Sequence, residues 1–169
     1  MTASSISTQW LLFRLAMVFL TRLPIRIDNN VDDALLNRAT GYFPLVGALI
    51  ACLTGTLLLV FSTVLPIEVA VLVSMIASLM ITGAFHEDGL ADTVDGFGGG
   101  WTQSQKLNIM KDSRLGTYGA AALFLALLLK FELLVALASE SVSFALTALL
   151  LGHVHSRAFA VSLISSMHY

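Results

Sequence analysis

Three aspartates recur within one short stretch, FHEDGLADTVDGFGGG, residues 85–100. Asp88, Asp92 and Asp95 stand at i, i+4 and i+7. At ~100° per residue they share a helical stripe about 60° wide, with Leu90, Val94 and Phe97 on the opposite side. Like charges at such spacings repel, so a short helix carrying three of them implies a positive species in their midst. An all-oxygen donor set suits Mg²⁺ or Mn²⁺ rather than Zn²⁺, and Mg²⁺ commonly completes its sphere with phosphate oxygens. The spacing is not that of an EF-hand, whose ligands alternate through a loop. The chemistry indicated is metal-assisted handling of a phosphate-bearing substrate. The plainer alternative is a solvated helix end whose acidic spacing is accidental.

A second motif, KDSRLGTYG at residues 111–119, supplies the complementary charge. Lys111 and Arg114 are three apart and suit the two sides of a phosphate, Arg114 as a bidentate fork. Asp112 is placed to complete a metal site from the other side, and Ser113 adds a donor. The plainer reading is anchor charge followed by a helix N-terminus at Gly116–Gly119. His86 lies about 160° from Asp88, which favours packing against a neighbouring helix, with a general-base role as the sharper alternative. Glu87 lies off the aspartate face and reads as peripheral. Gly98–Gly100 reads as a helix stop, and neither GxGxxG nor GK[ST] is present. His153 and Arg157 share a face at i, i+4, which makes Arg157 a candidate phosphate contact. Lys130 stands inside an apolar run, and snorkelling toward the outer edge is the expected solution.

The elements that must carry these residues are apolar helices. Of 169 residues 57% are hydrophobic and only 12% charged, about half the charge of a soluble domain. The fold class expected is all-α and integral to a membrane: a multi-pass bundle with an N-terminal interfacial helix and a long loop bearing the acidic motif. Residues 8–22 form the interfacial helix, because Arg14 interrupts their apolar core. Residues 42–65 and 69–85 form two antiparallel spans at ~20 residues each, and Asp88–Phe97 is helical and extends the second. Thr102 caps a short helix to Met110. One helix runs over 119–139 with Lys130 inside it, and another covers 141–164. The single cysteine, Cys52, excludes an intrachain disulfide. Lys and Arg cluster before the first span and again at residues 106–114, and the intervening turn has none, so the acidic motif is expected in the cytoplasm.

The runs GAFHEDGLADTVDGFGGG and IMKDSRLGTYG, with FLTRLPI and GYFPLVGALI before them, resemble the cobalamin synthase family, the adenosylcobinamide-GDP ribazoletransferases. The resemblance extends over nearly the whole chain. It implies a Mg²⁺-dependent transferase of cobalamin biosynthesis, multi-pass in the bacterial inner membrane. Such an enzyme joins adenosylcobinamide-GDP to α-ribazole, or to its 5′-phosphate, and releases GMP. Asp88, Asp92 and Asp95 would match the family's acidic motif, as metal ligands and catalytic groups with Asp112. Lys111, Ser113 and Arg114 would match the phosphate-binding motif, and an aspartate or His86 would accept the proton. The implied partners are the two substrates and the lipid bilayer, with self-association or other cobalamin-assembly enzymes as further partners and no nucleic acid. Family members continue with a Tyr-x-Arg-type segment, more spans and a GDT-type motif. The chain stops at Tyr169, so residues 1–169 read as one membrane-embedded catalytic domain, the N-terminal part of a longer one. The rivals are a CDP-alcohol-type phosphotransferase, whose DGxxAR spacing is missing, a cation channel or transporter lined by the aspartates, and a structural subunit.

Overall fold

The structure, a computed structural model, describes residues 3–27 and 31–166. Tyr169, near which the family's Tyr-x-Arg-type segment was expected to begin, lies outside them. Among the described residues every regular element is a helix. Helix α1 (Ala3–Leu20) leads to α2 (Asp33–Ala39), which runs through a single 3₁₀ turn (Thr40–Tyr42) into α3 (Phe43–Phe61). Then follow α4 (Ile67–Thr82), α5 (Phe85–Gly99), α6 (Gln103–Met110), α7 (Thr117–Glu140) and α8 (Val142–Ser166).

Among the described residues, three helical stretches are long and apolar enough to cross a membrane: Asp33–Phe61, Thr117–Glu140 and Val142–Ser166. The last two match the expected spans closely, and Lys130 does lie inside one unbroken helix. The first begins earlier than expected. Asp32 caps α2 through a bond from the Leu35 amide (2.7 Å), and α2, the 3₁₀ turn and α3 continue as one 29-residue stretch. Pro44 sits at the start of α3, where a missing amide costs nothing.

The second span departs from expectation. Helix α4 ends at Thr82, and α5 leaves at 84° to it rather than extending it. The cause is local. Gly83 (φ 65°) and Ala84 (φ 56°) both adopt the left-handed conformation, which no helix propagates. The amides of both turn back to the Leu79 carbonyl, and the Arg22 amide satisfies Ile81 (2.7 Å). The left-handed φ favours glycine at position 83, and a Cβ there would also displace the Arg22 side chain. The acidic motif is helical as expected, but it lies on a helix of its own, turned across the end of the bundle instead of extending the second span.

The main core joins α3, α4, α7 and α8 through Leu58, Val71, Met75, Leu134 and Leu149. Small residues allow the closest approach, as is usual where lipid supplies no hydrophobic drive. Gly47 faces the His153 carbonyl of α8, and Gly55 faces Leu146. One buried polar bond, Ser74 Oγ to the Thr54 carbonyl (2.9 Å), ties α4 to α3. Helix α1 packs Ala16 and Leu20 against Phe43, Val46 and Ile50 of α3. Helix α7 turns Phe124, Leu125 and Leu129 outward, an apolar face too broad for water and suited to lipid.

Candidate active site

Helix α5 carries the three aspartates, and the structure divides them. Asp95 is buried. Its Oδ2 accepts the Gly116 amide (2.7 Å) and its Oδ1 accepts the Gly119 amide (2.8 Å). These amides open α7, whose own N-cap residue, Gly116, has no side chain with which to cap it. Asp95 is thus a cap donated by another helix, with its charge against the positive end of the α7 dipole. The two glycines of GTYG follow from this. A Cβ on Gly116 would lie 2.4 Å from the Asp95 carboxylate, and one on Gly119 2.3 Å from it.

Asp88 and Asp92 remain on the same face, exposed and half-buried respectively. Neither carboxylate makes a hydrogen bond or ion pair among the described residues. Asp88 lies in the first turn of α5, where a negative charge is favoured by the helix dipole alone. Among the described residues no three His, Cys, Asp or Glu side chains converge closely enough to hold a metal ion. Both Asp95 oxygens are engaged by the α7 amides, so in this arrangement Asp95 serves as a helix cap. A pair of carboxylates does fit Mg²⁺, which takes one or two together with phosphate and water.

The second motif is held against α5 at both ends. Thr102 caps α6 with a reciprocal Gln105 bond, as the TQSQ pattern predicts. Helix α6 then lies on α5 where Gly96 leaves room for Met110. Lys106 reaches over the Phe97 ring, 4.3 Å from its centre, and Tyr118 covers Gly98. Between these anchors Lys111 and Ser113 are exposed. Arg114 folds back on Asp112, Nη2 to Oδ2 at 2.6 Å and Nε to the same carboxylate at 3.0 Å. The Arg114 bond holds the Asp112 carboxyl below the ordinary carboxylate range and raises Arg114 in return. As arranged, Asp112 serves Arg114, and the fork of Arg114 is occupied by its own neighbour.

Two residues are placed differently from expectation. Glu87 is not peripheral and Lys130 does not snorkel outward. Both line a cavity of about 780 Å³ between α4, α5, α7 and α8, together with His86, His153 and Arg157. His86 packs edge-on to Phe85 (5.5 Å) and faces this cavity. Arg157 and His153 pair as their spacing suggests, Nη1 to Nδ1 at 3.2 Å. Lys130 was the readable signal, a charge in the middle of a 24-residue apolar helix.

A family model described as cobalamin-5-phosphate synthase matches residues 12–169. Among curated relatives, the adenosylcobinamide-GDP ribazoletransferase of Shewanella frigidimarina (strain NCIMB 400) is 52% identical over 94% of the chain and 60% of its own length. The proteins of that name from Shewanella amazonensis and Shewanella woodyi are 51% and 49% identical, over 94% and 95% of the chain and 61% and 63% of theirs. The chain therefore spans about 60% of the length of these relatives. No solved structure matches.

Proposed function

The chain belongs to the cobalamin-5-phosphate synthase family, and we propose that it carries the diphosphate-handling part of an adenosylcobinamide-GDP ribazoletransferase of the bacterial inner membrane. The reaction is phosphoryl transfer. A ribose hydroxyl of α-ribazole, or of its 5′-phosphate, attacks the phosphorus bound to the cobinamide. The P–O bond to GMP breaks, GMP departs with the electron pair, and the hydroxyl proton passes to a base. What such a step chiefly needs is positive charge at the diphosphate and alignment of the reacting groups.

The observation that carries this reading is the pair Asp88 and Asp92, unengaged on one face of a helix to which the KDSR segment is anchored. These two carboxylates would hold Mg²⁺, which when bound would neutralise charge on the diphosphate. Lys111 is the exposed cation available to the GMP phosphate. Arg114 joins it by leaving Asp112, which then is free to take the hydroxyl proton. Asp95 has a different task, fixing the α7 N-terminus and with it the end of the KDSR segment. Arg22 meets the end of α4 through its amide bond to Ile81, and the acidic helix and the basic KDSR segment follow from that end of the bundle. By the positive-inside rule that end faces the cytoplasm.

The test is GMP release from membranes holding the chain, supplied with adenosylcobinamide-GDP, α-ribazole and Mg²⁺. Wild type is expected to release GMP and Asp92→Asn to lose at least about a hundredfold of the rate, the loss typical of a removed electrostatic group. Release by the full-length Shewanella frigidimarina relative but not by this chain would refute autonomous activity. Equal rates in wild type and Asp92→Asn would refute the site.

A further inference from the structure

We propose that the cavity between α4, α5, α7 and α8 is a binding site for a monoanionic amphiphile, with a phosphodiester head on Arg157 and Lys130 and an alkyl chain along the leucines of α7. That is the chemistry of an anionic phospholipid.

Arg157 is only 2% exposed, although it is a charged residue on an apolar helix. Its stem crosses the bundle where Gly47 leaves space, for a Cβ there would come within 2.8 Å of Arg157 Cδ. One guanidinium nitrogen, Nη1, is satisfied within α8 by the His153 carbonyl (3.1 Å) and by His153 Nδ1 (3.2 Å). The other two, Nε and Nη2, are buried with no partner among the described residues. These two nitrogens form one edge of the guanidinium, the parallel fork that grips an oxyanion through two bonds. A buried cationic donor left unmade is strongly unfavourable, so the empty fork points to a ligand that fills it.

The neighbouring groups define that ligand further. No ion pair closes Glu87 on Arg157 or Lys130; among the described residues the ion pair present is Arg114–Asp112. Glu87 Oε2 is itself buried without a partner, an acceptor suited to a hydroxyl on the head group. Lys130, Arg157 and Glu87 sum to one positive charge with the histidines neutral, which one phosphodiester cancels. From Lys130 the α7 wall continues through Leu133, Leu134 and Leu137, one side chain after another along a helix face. Leu133 is 55% exposed, so this wall is open sideways toward the surrounding chains of a bilayer. None of Asp88, Asp92 and Asp95 lines the cavity, so it is separate from the aspartate face and does not depend on its proposed chemistry.

The test uses the full chain in mild detergent, offered phosphatidylglycerol or phosphatidylcholine with matched acyl chains, and read by native mass spectrometry. One phosphatidylglycerol per chain is expected, retained about tenfold better than phosphatidylcholine. Arg157→Gln and Lys130→Gln should each reduce that retention about tenfold, the effect of losing one charge-assisted contact. Circular dichroism reports whether each variant is folded, and if Arg157→Gln is not, Lys130→Gln decides alone, with Arg157→Lys expected to retain lipid in part. Equal retention of the two lipids, or unchanged retention by folded Lys130→Gln, would overturn the proposal. Displacement of the lipid by equimolar inorganic phosphate would overturn the alkyl-chain part, by showing that the head alone binds.

Discussion

Two aspartates three residues apart on one helix have opposite commitments. The Asp95 carboxylate is bonded to two backbone amides, and that of Asp92 to nothing among the described residues. Asp95→Asn keeps the shape but removes the charge, and its NH₂ confronts one amide donor with another. The expected cost is about 1.5–3 kcal/mol, typical of a charge-assisted bond, seen as a lower midpoint of thermal unfolding with Mg²⁺ affinity retained. Asp92→Asn is expected to do the reverse, leaving the midpoint in place and weakening Mg²⁺ binding in a calorimetric titration. The Asp112–Arg114 pair makes a pH prediction. Its carboxyl is depressed below 3.8 by the Arg114 bond, so the pair is intact above that value and opens only as the pH falls through the lower, folded-state value. The Arg114 side-chain resonances should therefore be constant from pH 5 to 8 and shift only in acid; a change near neutrality would contradict the pairing. The stripe was legible in the sequence as an electrostatic problem. Its solution for Asp95 was not, because the neutralising dipole belongs to amides 21 and 24 residues further along the chain, invisible to any argument confined to one helix. Glu87 was misread for the same reason: its angle from Asp88 says nothing of the cavity that α7 and α8 build around it.

At the scale of elements, hydropathy located α7 and α8 almost to their ends, and Thr102 as a cap located α6. The elbow between α4 and α5 escaped notice. Gly83 and Ala84 are small residues in an apolar run, and composition does not distinguish a helical pair from a left-handed one. Contact between α3 and α8 rests on another glycine. A methyl on Gly47 would lie 2.4 Å from the His153 carbonyl oxygen, and backbone cannot swing aside as a side-chain tip can. Gly47→Ala should therefore force α3 and α8 apart and destabilise by about 1–3 kcal/mol, as overpacking does. Gly152→Ala, with open space around it, is the matched control and should be close to neutral in the same thermal scan.

For the molecule as a whole, the basic segment after α1 is tied to the C-terminal end of α4, where the chain turns into α5, through the Arg22–Ile81 backbone bond. In a background where Cys52 is replaced by Ala, cysteines at Arg26 and Ser113 should react with a membrane-impermeant thiol reagent from the same side, the interior of inverted vesicles excluded. Labelling from opposite sides would contradict the common orientation. The Asp95 cap has a consequence for how this end of the molecule assembles. The first-turn amides of a helix have no acceptor within it, so those of Gly116 and Gly119 are shielded from solvent exchange only while α5 is seated on α7. Their exchange rates are a clock for that seating: each time the acidic helix lifts, both protons are lost together, whatever the rest of α7 does.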